Sequence, residues 1–287
     1  MTSGPFADPD LWPTAITHFD EDQILIRGWP VEDLMDTGNF GAVAFLLLTG
    51  RRPTTAEAAV WNAMLIASSD HGPTSPSTFA ARVIASGNRR APEAAVGGGI
   101  LAIGDVHGGA AEEAMEVLQN GLALARQSGK PLRAAAEDIV RNHRSAGRRL
   151  AGLGHRFHVV DPRTERLWSL AAAGGLAGDG IALMREIQAV LSEAVGRPMP
   201  VNVDGAIASA LIDMALEPPI GRMVFILGRT AGITAHVLEE LARERPARFR
   251  FDFKYDGPTV ETASEPQEAA LGQGEELGAS DSPRRFS

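Results

Sequence analysis

The stretch GDVHGGAAEEAMEVLQNGLALA, residues 104–125, places a glycine-flanked histidine directly ahead of an amphipathic helix. The same signature, a helical pattern broken by a short glycine-bearing loop with a His or Asp, recurs outward in both directions. AGLGHRFHVVDPR at 151–163 and PVNVDG at 200–205 are the other two such loops. Around them alanine is abundant, aromatics are 6% of the chain and alternating β-branched runs are scarce, so helix is the default over most of the length. The pattern predicts an essentially all-α protein with helices over 55–68, 77–85, 94–103, 110–126, 132–144, 163–176, 181–193, 205–216 and 222–243. The N-terminal piece begins with a short extended stretch, turns at Gly28-Trp29-Pro30 and enters helices that stop at Gly50 and Pro53. Residues Arg250 to Tyr255 read as a short extended segment, and the tail beyond them as disordered, because apolar residues thin out there.

Composition excludes several classes of function. The 287 residues contain no Cys, which removes disulfides, thiolate metal sites and Cys nucleophiles and agrees with a reducing cytoplasm. The longest apolar run, Val43 to Leu48, is far shorter than a membrane span, and MTSGPFADPD lacks the basic and apolar regions of a signal peptide. Neither membrane insertion nor secretion is expected. The net charge is −9, of which the tail from Glu261 to Ser287, with six carboxylates and two arginines, supplies −4. Nucleic acid is therefore not expected as a partner. Arg82, Arg156, Arg163, Arg222 and Arg229 sit beside Gly- and His-containing segments instead of forming one basic stripe, a pattern that suits a small anionic ligand.

Histidines and one aspartate carry the candidate chemistry. His107, ahead of its helix, feels the positive end of the helix dipole, which favours a neutral imidazole able to donate to a developing oxyanion; a turn or N-cap histidine is the plainer alternative. His155 lies in Gly152-Leu153-Gly154-His155-Arg156, with Arg163 close behind, so backbone amides and two guanidiniums are within one loop's reach of an anion; a solvated basic turn fits equally. Asp204 precedes Gly205 and a helix, and is either an N-cap or a poorly solvated carboxylate basic enough to remove an activated C–H proton. Arg229 and His236 share a face of one largely apolar helix. A buried Arg there needs a partner, either an internal carboxylate or that of a substrate. The chain has no HExxH, no P-loop and no GxGxxG after a strand, so no metal is expected and phosphate binding has to use Arg and loop amides.

Taken in order, these segments resemble the citrate synthase family over nearly all of residues 22–258. The resemblance rests on Ile26-Arg27-Gly28-Trp29-Pro30, Leu47-Leu48-Thr49-Gly50-Arg51-Arg52-Pro53, Asp70-His71 with Ser77-Thr78-Phe79-Ala80-Ala81-Arg82, His107-Gly108-Gly109-Ala110, Gly154-His155-Arg156 with Asp161-Pro162-Arg163, Asn202-Val203-Asp204, and Gly228-Arg229 with His236. It implies a large helical domain (22–110 and 215–258), a small helical domain (111–214), an N-terminal arm (1–21) and an acidic tail (259–287), with the active site in the cleft of an intertwined homodimer. It further implies that His107 steadies an acetyl-CoA enolate, Asp204 shuttles the methyl proton, and His155 bonds the keto or hydroxyl oxygen of the oxaloacetate moiety. His71, Arg163 and Arg229 then hold carboxylates, joined by Arg250 from the other subunit, where Arg250-Phe251 replaces the family's usual Arg-Pro. Gly152, Leu153, Gly154 and Arg156 fall to the coenzyme A thioester, which is substrate or product; no tightly bound cofactor is expected.

The short N-terminus, Asp70-His71-Gly72-Pro73, Ile103-Gly104-Asp105 and Asn202-Val203-Asp204-Gly205 look most like citryl-CoA lyase and the C-terminal lyase module of ATP-citrate lyase. His107 is kept where that module has another residue. The resemblance thus implies a cytoplasmic enzyme that cleaves citryl-CoA to acetyl-CoA and oxaloacetate, with a citryl-CoA synthetase as a partner. The alternatives are a citrate or 2-methylcitrate synthase, and, from another class, a non-catalytic acyl-CoA-binding subunit.

Overall fold

A computed structural model describes residues 13–154 and 161–257. The strands β1 (Thr17–Phe19), β2 (Ile24–Ile26) and β3 (Trp29–Pro30) form an antiparallel meander in the order β1-β2-β3. The remaining elements are helices: α1 (Val31–Thr37), α2 (Phe40–Thr49), α3 (Thr55–Ser68), α4 (Pro76–Gly87), α5 (Pro92–Leu101), α6 (Ala110–Ser128), α7 (Leu132–Ser145), α8 (Pro162–Ala173), α9 (Asp179–Val195), α10 (Val203–Asp213) and α11 (Pro219–Arg243). The all-α expectation holds, with the small meander as the one β-sheet among the described residues.

Local chemistry sets the helix ends. At α3 the Thr54 side chain accepts from the Glu57 N–H while Glu57 accepts from the Thr54 N–H, a reciprocal cap that satisfies two donors the helix leaves unpaired. Arg51 also grips Glu57, and its hydrogen bonds together with those of Thr54 outweigh burial and hold the carboxyl down at about 2. Gly50, at φ 77°, ends α2 in the left-handed conformation that a side chain disfavours.

The chain divides into a compact unit ending at Phe249 and a second beginning at Arg250. The described part of the second, residues 250–257, has no strand or helix and leaves Phe251, Phe253 and Tyr255 exposed. The expected extended segment there is not a strand: alternation of rings and charges makes one only beside a hydrogen-bonded neighbour. The tail from 259 lies outside the described residues.

Within the first unit the main core gathers Phe45, Trp61, Met64, Met115, Leu118, Leu183, Ile187, Ile207, Leu211 and Val224, each side chain of this size contributing about 1.5–3 kcal/mol on burial. A smaller core holds Ala81, Ala85, Ala95, Ile233 and Val237. α11 reaches both, through Val224 in the first and Ile233 and Val237 in the second. α10 is the innermost helix: all of residues 203–211 are buried except Asp204. Asp213, at its far end, accepts the backbone N–H groups of Gly178, Gly180 and Ile181 and so closes the open start of α9.

Candidate active site

The start of α10 is tied down from two sides. Asn202, and not Asp204, is the N-cap: its Oδ1 accepts from the N–H groups of Asp204 and Gly205 at 3.0 and 3.2 Å. Asp204 is the second helical residue, and its carboxylate is left out of the cap. Residues 152–154 run antiparallel to 200–202, with Asn202 N–H donating to the Gly152 carbonyl, Gly154 N–H to the Pro200 carbonyl and Asn202 Nδ2 to the Gly154 carbonyl. Gly152, at φ 79°, faces Gly205 so closely that a Cβ on it would stand 2.6 Å from the Gly205 Cα. Two glycines therefore let the loop cross the helix start. Asp161 supplies the second tie. Its side chain is fully buried and accepts from Arg163 N–H, Nε and Nη2 at 3.0, 3.0 and 2.8 Å and from Val203 N–H at 3.1 Å.

Asp204 Oδ1 is buried and has no hydrogen-bond partner among the described residues. Burial pushes its carboxyl above the ordinary aspartate value; the charges of Arg163 and Arg229 oppose this and that of Asp161 assists it. Such a group holds a proton more readily than an exposed aspartate and can give or take one at carbon.

His107 is presented by a closed turn. Gly104 and His107 exchange backbone hydrogen bonds, Gly109 N–H also reaches the Gly104 carbonyl, and Gly108 sits at φ 92° with Ile103 and Phe225 against its open side. The His107 Nε2 receives the backbone N–H of Ser77 at 3.4 Å and lies 2.8 Å from the Ser77 hydroxyl. Ser77 is in the first turn of α4, whose N-terminal amides have no side-chain cap, so the imidazole takes one of the unpaired donors. An N–H aimed at Nε2 needs a lone pair there, which places the ring proton on Nδ1. Burial, aided by the charge of Arg229, pushes the imidazole below its ordinary value and keeps it neutral. The Phe225 ring stands edge-on to it at 5.5 Å. A neutral imidazole with a fixed Nδ1–H is suited to donate to a developing oxyanion.

Arg229 is buried on α11. Its Nε donates to the Ser68 carbonyl at 2.9 Å, its Nη1 to the Ser75 hydroxyl at 3.3 Å, and the guanidinium lies 4.9 Å from the Phe225 centroid. It makes no ion pair among the described residues, and burial lowers its proton affinity while Asp70 and Asp204 raise it. Arg163, half-buried, also donates through Nη1 to the Ala67 carbonyl. His71 is pushed below its ordinary value by burial and by Arg163 and Arg229, so it stands in the field of both guanidiniums. Arg229 is thus felt by His71, His107 and Asp204, and Arg163 by His71 and Asp204.

Other expected groups have different roles. His236 accepts at Nδ1 from Arg82 at 2.9 Å and therefore donates from Nε2 to Asp70 at 3.2 Å, which shapes the turn carrying His71. Arg82, read from sequence as suited to an anion, is taken by Glu239 and Glu240 at 2.8 and 2.9 Å. Arg222 is likewise held by Asp105 and Glu112. Gly152, Leu153 and Gly154 engage their described backbone bonds in the pairing with 200–202. His155, Arg156 and His158 lie outside the described residues, and Arg250 is exposed in the second unit. Sequence reasoning missed Ser77, Asn202 and Asp161 as site-building residues. Asn202, an N-capping type ahead of an apolar helix, and Asp161, which caps α8 ahead of Pro162, had a local signal; Ser77 had none.

Residues 56–250 match the family model described as "Citrate synthase, C-terminal domain". The chain belongs to the citrate synthase family. Among curated relatives it is 28% identical over 233 residues to citrate synthase of Heyndrickxia coagulans, covering 77% of this chain and 56% of that protein. It is 29% identical over 239 residues to the citrate/2-methylcitrate synthase of Bacillus subtilis, covering 82% and 60%. The chain thus spans little more than half the length of these relatives. Among solved structures it is similar to citryl-CoA lyase from Hydrogenobacter thermophilus, with 35% identity, 87% of this chain and 96% of that chain covered, and a TM-score of 0.79. The ATP citrate lyase of Methanosaeta concilii, solved in complex with (3S)-citryl-CoA, shares the fold at 23% identity, covering 89% of this chain and 43% of its own with a TM-score of 0.75.

Proposed function

We propose that this protein cleaves citryl-CoA to acetyl-CoA and oxaloacetate. The observation that carries the proposal is the Asp204 carboxyl, whose Oδ1 is buried without a partner among the described residues and whose proton affinity is raised, set in the field of Arg163 and of Arg229, the latter also acting on the neutral His107. In this reading Arg163, Arg229 and His71 hold the carboxylates of the oxaloacetate moiety. The tertiary hydroxyl loses its proton toward the His155 segment, the adjacent C–C bond breaks, and its electron pair passes into the thioester enolate. His107 Nδ1–H stabilises that enolate oxygen, and protonated Asp204 delivers a proton to the carbon, giving the acetyl methyl group. The proton taken from the hydroxyl is returned to water and Asp204 regains one from water, so the sum is acetyl-CoA and oxaloacetate with nothing else consumed.

Coenzyme A enters only as thioester, with Gly152, Leu153, Gly154 and Arg156 its assigned neighbours, and no metal or tightly bound cofactor has a place in the scheme. Residues 22–110 with 215–258 act as the large domain and 111–214 as the small one. The reading includes a cytoplasmic homodimer in which Arg250 serves the opposite site, supplied with citryl-CoA by a synthetase. The same groups run the reverse condensation, and the curated relatives favour that second reading, a citrate or 2-methylcitrate synthase. The higher identity and nearly full coverage of the citryl-CoA lyase favour the first. Oxaloacetate release from citryl-CoA, measured beside free thiol release from acetyl-CoA plus oxaloacetate, separates them. Cleavage without thiol release supports the lyase; thiol release with citrate formation replaces it by the synthase; inactivity in both leaves the acyl-CoA-binding subunit.

A further inference from the structure

Arg222 lies one turn ahead of Phe225 on α11, the helix that also carries Arg229. Its Nη2 donates to Asp105 Oδ1 at 3.1 Å, and its Nε stands 2.5 Å from Glu112 Oε2. Those two carboxylates belong to different elements. Asp105 is in the turn that presents His107, and Glu112 is in the first turn of α6, which that turn enters. The guanidinium therefore spans the His107 turn from end to end and joins both ends to α11. It also packs on the turn itself, since a Cβ added to Gly109 would stand 3.2 Å from Nη2. The Nε and Oε2 atoms are buried and make no hydrogen bond among the described residues, so the two groups are held by opposite charge at close range, where water does not intervene. The turn is closed by its own backbone bonds, but those fix its shape and not its distance from α11, where Phe225 meets the imidazole.

We propose that Arg222 is a positioning residue for His107. By gripping Asp105 and Glu112 on either side of the histidine, it seats the turn on α11 and keeps the imidazole between Ser77 and Phe225, with Nδ1–H pointed at the reacting oxygen. Arg is suited to this because its planar, delocalised charge can donate to Asp105 at one end and face Glu112 at the other, whereas a Lys ammonium is a single point charge that reaches one carboxylate well. The inference rests on the role proposed for His107 in citryl-CoA cleavage.

The test has a kinetic arm and a spectroscopic arm. Arg222→Gln lowers kcat for citryl-CoA by about 10- to 100-fold, the cost of displacing a catalytic group by a fraction of its reach, while KM changes less than about threefold. In a His107→Ala background the same substitution has no further effect on kcat, because the group it positions is gone. Arg222→Lys recovers part of the loss. In the resting protein, 15N-edited NMR finds His107 as the Nδ1–H tautomer, and Arg222→Gln shifts or broadens its ring signals. Asp105→Asn, at an exposed position, moves the same signals in the same direction and serves if Arg222→Gln fails to fold. An undiminished effect of Arg222→Gln in the His107→Ala background overturns the proposal, as do unmoved His107 signals in the variants. If the wild type fails to cleave citryl-CoA, the proposed function falls and the NMR arm still decides the role of Arg222.

Discussion

Replacing Asp161 by Asn keeps the shape of the side chain and removes its charge, at a position where four N–H groups converge. Three of them come from Arg163 and the fourth is the backbone N–H of Val203, at 2.8–3.1 Å. An Asn offers one oxygen, so two of the four bonds survive and the amide NH2 faces the other two donors. Hydrogen bonds to a charged group contribute about 1.5–3 kcal/mol each, and breaking a buried pair costs about 3–5 kcal/mol. Asp161 is fully buried but Arg163 keeps 24% of its side-chain surface, so its guanidinium regains some water and the lower end applies. We expect chemical unfolding to show a loss of about 3 kcal/mol for Asp161→Asn. The same change acts on Asp204, because the charge of Asp161 is one of the influences raising that carboxyl. In the proposed cleavage Asp204 works protonated, so activity is expected to be lost as pH rises through its titration. Removing the Asp161 charge lowers that titration, and the alkaline limb of kcat moves to lower pH. A stability change under about 1 kcal/mol would refute the latch between Arg163 and α10. An unmoved limb, or one displaced to higher pH, would refute the electrostatic coupling.

Three further outcomes follow from the site and its supports. Asp204→Asn retains the fold by circular dichroism and lowers turnover of citryl-CoA by about two to four orders of magnitude, and a loss of only a few-fold would remove its assigned role. His107 and His71 titrate below their ordinary value in the folded protein, so the unfolded chain binds their protons first and stability falls as pH drops below 6.5. Substituting His107 by Asn flattens that slope in unfolding measurements, and an identical slope in the variant contradicts the burial argument. Asp213→Ala leaves the Gly178, Gly180 and Ile181 amides without their acceptor and costs about 2–3 kcal/mol, with hydrogen exchange accelerating first at the start of α9. Uniform acceleration throughout the chain would show that α9 is not the element that opens.

What the sequence made legible was whatever one segment decides for itself. α3 runs over the expected residues because Thr54 and Glu57 cap it from three positions apart. The β meander was seen only as an extended stretch, since strands of two or three residues are too short to display an alternating pattern. His107 and Asp204 stood out because glycines and apolar residues frame them locally. The roles of Asp161 and Ser77 did not, because each depends on a partner brought close only by folding: Val203 for Asp161 and His107 for Ser77. Arg82 and Arg229 illustrate the same limit from the other side. Both sit on helices beside glycine- or serine-bearing segments, yet Glu239 and Glu240 neutralise one while the other, among the described residues, meets a carbonyl, a hydroxyl and the Phe225 ring but no carboxylate in ion-pair reach.

That difference between two buried arginines bears on how the proposed reaction is driven. Arg82 is satisfied without a ligand, so nothing is gained by bringing an anion to it. Arg229 has lost most of its water and has received dipoles in return, not a charge; its proton affinity is lowered by burial, which is the mark of an undercompensated cation. A substrate carboxylate that reaches it replaces solvent already removed during folding, and the desolvation cost falls on the protein's stability instead of on binding. The arriving negative charge also offsets the field that Arg229 exerts on His107 and Asp204. With that field reduced, Asp204 retains its proton more firmly until the enolate develops beside it, and His107 has less reason to stay neutral than in the empty site. Substrate binding and the readiness of the acid are then one electrostatic event, centred on α11.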